Sequence, residues 1–264
     1  MVTIYRDYQD EPDDLFLALP ENLACSLYAL EMEDFTEDCA FFERMLPSEG
    51  TVLEMGCGTG RVARLLATKN RFMTGIDISL PMLRLAAKSR HPGCSFFCMD
   101  MLSPAFQRAF DAILIPYNTL NLLTTEQKIL QCLLGCREHL HSTGRLIVQL
   151  FIPTEDFLVS SRTTFQFQMF DRPGGGRIIK EIRKKYLPES QTMQLEERFR
   201  IRPMQEGQTN EDYQAIISLA AFSLARWLAI FAAAHLTPVH ICGNYDGGPY
   251  DATVTSCCLF VLKR

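Results

Sequence analysis

The sequence predicts a doubly wound α/β domain, and two observations carry that prediction. From Thr51 to Pro153, short apolar runs alternate with stretches of helical periodicity, and the first run ends in the glycine-rich turn "MGCGTGR". Strands separated by helices pair in parallel through right-handed crossovers, so these runs should form one sheet covered on both faces. With 47% of its 264 residues hydrophobic, the chain has the apolar mass for one large core. It reads as a single domain over 1–264.

The elements follow in order. Residues 1–48 are expected to form an N-terminal helical cap, because Glu21 to Met45 holds two helix-like segments rich in aromatic and acidic residues. "TVLEM" is strand-like, and Arg61 to Thr68 carries Val62, Leu65 and Leu66 at helical spacing. "RFMTGIDI" is the second strand, followed by a helix with Ser79 as N-cap and Pro81 in its first turn. "CSFFCMD" and "FDAILIP" are the third and fourth strands, and "TTEQKILQCLLGCREHL" is a long amphipathic helix. Gly144 is expected to turn the chain into the fifth strand, "RLIVQLFIP". Over 154–212 the pattern changes to partial period-two alternation broken by "DRPGGG" and "PES", the mark of an antiparallel strand insertion. The basic run "RIIKEIRKKYL" within it reads as the solvated face of a strand, or else as a surface for acidic substrates. A helix at about Ser223 to His235 and strands at Pro238 to Cys242 and Val254 to Leu262 complete the chain, the last two joined by the loop "GNYDGGPYD".

Composition narrows the function. A formal net charge of −5 offers no basic field for phosphates, which speaks against nucleic-acid partners. The acidic start "MVTIYRDYQDEPDDLF" lacks the pattern of a signal peptide, so a cytoplasmic location is expected. Ala215 to Leu236 is long and apolar, but Ser218, Ser223 and Arg226 interrupt it, and no membrane span is expected. The ten cysteines are scattered, no C-x-x-C occurs and no histidine cluster accompanies them, so they read as small core residues with no metal site.

The turn from Glu54 to Gly60 reads E-x-G-x-G-x-G. A dinucleotide fingerprint would need glycine where Arg61 stands, and a carboxylate at Glu54 would repel a pyrophosphate. It could instead orient a cationic amino-acid group through charge-assisted hydrogen bonds. Here the sequence resembles the class I S-adenosylmethionine (SAM)-dependent methyltransferases, with Asp77 and Asp100 ending the next two strands as that family's motifs do. The resemblance implies SAM as cofactor, with Gly56, Cys57, Gly58 and Gly60 against its methionine portion. It implies that Asp77 accepts the ribose hydroxyls, that Ile78 and Met82 flank the adenine, and that Asp100 and the backbone of Met101 meet its edge. Pro116 and Tyr117 fall where that family places the reacting methyl group. The layout is similar to the bacterial small-molecule branch, including glycine/sarcosine and amino-sugar N-methyltransferases. It implies a Rossmann-like sheet of seven strands with the last antiparallel, a small-molecule acceptor, and a monomer or homodimer.

Holding nucleophile and methyl in line supplies much of the acceleration in such a transfer, so no triad is required. Tyr117 and Tyr245 are the catalytic candidates, the latter in the loop expected to overhang the sheet edge. Asn118, Asn121 and Phe151 follow the fourth and fifth strands and are candidates for the acceptor site; for the asparagines, capping and turn formation are the alternative. Arg61, unfavourable at a helix N-terminus, either meets the cofactor carboxylate or faces solvent. His139 and His141 read as surface residues and His240 as a core residue. Two other readings remain. Methylation of a nucleic-acid base or a protein is weakened because "IPYN" keeps only one proline and the tyrosine of the Asn/Asp-Pro-Pro-Tyr/Phe segment, and a SAM-binding protein without turnover is also open.

Overall fold

A computed structural model describes residues 2–4, 15–159, 164–204, 207 and 209–264. Residues 5–14 of the expected N-terminal cap and 160–163 of the insertion lie outside the described residues.

The chain begins with short strands β1 (Val2–Ile4) and β2 (Leu17–Ala18), then helices α1 (Glu21–Glu31) and α2 (Glu37–Met45). The alternating core follows: β3 (Gly50–Met55), α3 (Arg61–Leu66), β4 (Arg71–Asp77), α4 (Leu80–Lys88), β5 (Cys94–Cys98), β6 (Phe110–Ile115), α5 (Glu126–Glu138) and β7 (Leu140–Phe151). After α6 (Glu155–Val159) come β8 (Thr164–Asp171), β9 (Gly176–Leu187), β10 (Thr192–Pro203) and β11 (Glu211–Ala220). The chain closes with α7 (Leu224–Ala233), β12 (Thr237–Cys242) and β13 (Cys257–Lys263).

The main sheet has seven strands in the order β12-β13-β7-β6-β3-β4-β5. Strands β3 to β7 pair in parallel, whereas β13 runs antiparallel to β7 and β12 antiparallel to β13. The central strands are apolar on both faces because each face is covered. Leu53, Met55, Ile113 and Val148 pack with Ile129, Cys132, Trp227 and Phe231 from α5 and α7. Val52, Leu114, Ile147 and Val261 pack with Phe41, Phe42, Val62 and Leu66 from α2 and α3. Ser79 caps α4 as its sequence predicts, accepting from the Met82 N–H.

The second sheet, β1-β8-β9-β10-β11-β2, is larger than the period-two segment suggested. Strand β11 runs to Ala220, beyond the expected limit at residue 212, and the N-terminal segment contributes β1 and β2 as its outer strands rather than helix alone. The cause is the edge rule: β8 and β11 would each expose unpaired backbone, and the N-terminal strands partly cover them.

Four local expectations are corrected. Gly144 does not turn the chain but lies within β7, at a register irregularity where a Cβ would stand 3.0 Å from the Asp111 carbonyl. The basic run is solvated only in part: Arg177 and Lys185 are exposed, but Lys180 and Arg183 are buried, one on each face of β9. His240 is exposed, since β12 is the sheet's edge, and His139 is part-buried, its Nδ1 2.8 Å from the Gly135 carbonyl. The long apolar stretch is strand plus helix, and Arg226 faces outward to pair with Glu126. Among the described residues no helix is long and apolar enough to cross a membrane.

Candidate active site

The carboxyl ends of β3, β4 and β6 converge, as ligand sites in parallel α/β sheets do. A cavity of about 190 Å³ opens there, lined by Glu54, Gly56, Cys57, Gly58, Arg61, Asp77, Met82, Pro116 and Tyr117 among the residues expected from sequence. The structure adds Tyr28, Thr59, Val62, Thr119 and Leu122.

The three glycines all have positive φ, +71° at Gly56, +52° at Gly58 and +71° at Gly60, a region costly for side chains. They also make room. A Cβ at Gly56 would lie 2.2 Å from Thr119 Cγ2, and one at Gly60 would lie 2.5 Å from the Phe96 ring. At Gly58 the nearest atom would be 3.8 Å away, so this backbone faces the open cavity. Asp77 anchors the turn, its Oδ2 accepting from the Gly58 N–H at 2.8 Å and its Oδ1 from the Ser79 N–H at 2.9 Å. An ionised carboxylate has about four acceptor sites, so two remain for a ligand.

Glu54 is buried, 1% exposed, and its Oε2 has no hydrogen-bond partner. Burial pushes its carboxyl up to about 8, Arg61 counteracts, and Asp38 and Asp77 push further upward. An orphaned carboxylate oxygen in a cavity wall awaits a donor. The amino group of an amino-acid-bearing ligand fits that need, with the Asp77 lone pairs left for hydroxyls.

Arg61 has an anionic partner inside the chain. Its guanidinium grips Asp38 with two hydrogen bonds, 2.9 and 2.6 Å, and also donates to the Phe35 carbonyl at 2.6 Å. Asp38 is fully buried, which explains a cation at the N-terminus of α3. Of the five guanidinium N–H groups, about two are left over.

Tyr117 stands at the cavity's open side, 40% exposed. Edge-on contacts link it to Tyr28 at 6.3 Å and Phe35 at 6.1 Å, and Phe35 in turn meets Tyr245 at 6.0 Å. The two tyrosines also share Gln149, whose Oε1 accepts from the Tyr117 N–H at 3.1 Å and whose side chain hydrogen-bonds to Tyr245. Burial pushes the Tyr245 hydroxyl well up, so it stays protonated at neutral pH. Tyr28 and Phe35 stood out in the sequence only as aromatic residues of the helical cap, with no site role, and Gln149 only as a polar glutamine inside the apolar run "RLIVQLF".

Other expected residues fall elsewhere. Ile78 is 72% exposed and Asp100, whose Oδ1 accepts from the Leu102 N–H, is also exposed; both lie outside this cavity, as does Met101. Phe151 packs on Phe157, and Asn118 is half-buried with an unpartnered Oδ1. Asn121 does not face an acceptor. It is fully buried, donating to the carbonyls of Phe151 and Ala220 at 2.9 and 2.7 Å and accepting from the Phe151 N–H at 3.1 Å. Its amide ties the turn Thr119–Leu122 to β7 and to the end of β11. Asn121→Ala should therefore lower the unfolding free energy by about 2 to 4 kcal/mol, because it orphans three buried backbone groups; denaturant titration checks this. Among the described residues no group of three His, Cys, Asp or Glu is placed to hold a metal.

The geometry defines a class I SAM-dependent methyltransferase fold, and the comparisons agree. Residues 52–144 match the family described as a methyltransferase domain. The demethylmenaquinone methyltransferase of Thermotoga maritima is 35% identical over 105 residues, 39% of this chain and 44% of that protein. The matches to curated relatives span less than half of those proteins' length. Among solved structures, SAM-bound CalS10, an amino pentose methyltransferase from Micromonospora echinaspora, superposes with a TM-score of 0.70 at 22% identity, covering 90% of this chain and 96% of that one. The sugar N-methyltransferase KedS8 from Streptoalloteichus gives 0.73 at 18% identity, covering 100% and 97%.

Proposed function

We propose that the protein transfers a methyl group from SAM to a nitrogen or oxygen of a small-molecule acceptor. One observation carries the reading: the buried, unpartnered Glu54 Oε2 shares a cavity with the glycine turn and Asp77, and Tyr117 stands at that cavity's open side. When bound, SAM supplies a methyl group on a sulfonium, an electrophile with a neutral thioether as leaving group. Glu54 holds its amino end, the free N–H groups of Arg61 its carboxylate, and Asp77 its ribose. Gly58 leaves its backbone bare for close approach. Tyr117 and Tyr245, held together through Gln149 and Phe35, form the wall beside which the acceptor nucleophile is aligned. The names of CalS10 and KedS8 favour an amino-sugar or similar acceptor.

The test is calorimetry with SAM and S-adenosylhomocysteine, then a methyl-transfer screen over amines, amino sugars, amino acids and phenols. Cofactor binding in the micromolar range with a methylated product is expected, and Tyr117→Ala should lower kcat/KM roughly tenfold or more while leaving cofactor affinity nearly intact. No cofactor binding would refute the reading, and binding without product from any acceptor would point to a sensor.

A further inference from the structure

A carboxyl group and a guanidinium share the cavity and stay apart. Glu54, near the end of β3, and Arg61, which opens α3, both line it and lie within electrostatic reach of each other. In a buried wall such groups should pair, because water does not replace the missing partner. Among the described residues they form no ion pair, and the Glu54 Oε2 has no partner at all. Arg61 turns to the cap instead.

Three contacts from one cap segment hold it there. Asp38, the second residue of α2, takes two guanidinium hydrogen bonds at 2.9 and 2.6 Å, and the Phe35 carbonyl takes a third at 2.6 Å. The guanidinium also lies over the Phe35 ring, 5.1 Å from its centre. A planar fork gripped this way cannot swing to Glu54 without breaking all three hydrogen bonds. Asp38 and Arg61 neutralise each other, so Glu54 faces the cavity with no cation committed to it. The other groups around Glu54 leave that balance unchanged. Arg64 donates to the Thr59 carbonyl at 2.6 Å, Asp77 adds negative charge, and burial keeps the Tyr28 hydroxyl and the Cys57 thiol protonated.

We propose that Asp38 is a positioning residue for the cofactor: by engaging Arg61 it leaves the Glu54 carboxyl open to the ligand's ammonium and aims the remaining guanidinium N–H groups at the ligand's carboxylate. This rests on the methyltransferase reading, in which SAM presents both groups at once. Without Asp38 the guanidinium falls onto Glu54, and an incoming amino-acid group must first break an internal ion pair. A salt bridge that only fastened the cap to α3 would leave the protonation of Glu54 untouched.

The experiment reads S-adenosylhomocysteine affinity of the full chain by calorimetry between pH 6 and 8. The native protein should lose about tenfold for each pH unit below 8, because Glu54 must give up a proton to bind. In Asp38→Asn the released guanidinium stabilises the Glu54 carboxylate. The loss should then shrink to less than about threefold over the whole range, and affinity at pH 8 should fall by about tenfold. Asp38→Glu keeps the charge and should keep the slope. In Glu54→Gln the guanidinium has no carboxylate to fall onto, so adding Asp38→Asn should weaken binding by no more than about threefold. A native slope in Asp38→Asn, a flattened one in Asp38→Glu, or losses that simply add in the double variant overturns the proposal. If Asp38→Asn does not fold, the native protein decides. Its infrared difference spectrum on binding at neutral pH should show a protonated carboxyl group disappearing, a signal missing from Glu54→Gln, and absence of that signal in the native protein overturns the proposal. Failure of the native protein to bind at any pH condemns the methyltransferase reading itself, whereas intact binding with an unchanged slope confines the failure to Asp38.

Discussion

SAM should bind about tenfold more weakly for each pH unit below 8. The Glu54 carboxyl is pushed up to about 8 by burial, so at neutral pH the free protein holds it mostly protonated. A ligand ammonium favours the carboxylate, so binding expels a proton wherever the free protein carries one. Above about 8 the ligand's own α-amino group loses its proton, and affinity should pass through a maximum there. Calorimetry from pH 6 to 9 in two buffers of different ionisation enthalpy reads both the slope and the released proton. Glu54→Gln should flatten the profile and weaken binding at its maximum. The same residue acts oppositely on the free fold. Its folded value lies above the ordinary 4.5, so its contribution is fully present below about pH 4.5 and is lost as pH rises through about 8. The loss is on the order of a few kcal/mol, and Glu54→Gln should make the cofactor-free protein more stable at pH 8. A variant that binds less and melts higher would mark Glu54 as a functional residue held at a cost to stability.

Asp77→Ala should cost about a hundredfold or more in affinity for S-adenosylhomocysteine. The carboxylate does two jobs, anchoring the Gly58 and Ser79 N–H groups and presenting its remaining lone pairs to the cavity. Two charge-assisted hydrogen bonds to ribose amount to about 3 kcal/mol, and a loosened turn adds to the loss. Asp77→Asn keeps an acceptor and the shape, so it should fall between the two. A native-like affinity in Asp77→Ala would remove this residue from the site.

Glu54 and Asp77 were legible because each closes a strand beside a turn whose glycines have no other reason to cluster. The spacing of three glycines reported backbone conformation directly, since only glycine takes positive φ at so little cost. Tyr28, Phe35 and Gln149 left no such trace. They reach the cavity and its tyrosine wall from two cap segments and the fifth strand, and nothing in local sequence distinguishes an aromatic residue that faces a ligand from one that faces a core. Asn121 shows the reverse case, in which the structure selects turn formation from the two readings the sequence left open. A polar residue after a strand end suggested a ligand, yet three backbone groups inside the protein required it.

The sequence by itself determined the alternation of strands and helices, the glycine turn and the carboxylates at the ends of β3 and β4, because periodicity and turn chemistry are local properties of the chain; the count of seven strands came from the family resemblance. Only the tertiary structure decided what lies opposite them. The basic run in β9 looked like solvated surface because its charges alternate with apolar residues, but the fold buries Lys180 and Arg183 and leaves only Arg177 and Lys185 exposed. Long-range pairing then chose which cation was neutralised: Glu31 comes from α1 and Glu197 from the neighbouring strand, and both close on Lys180.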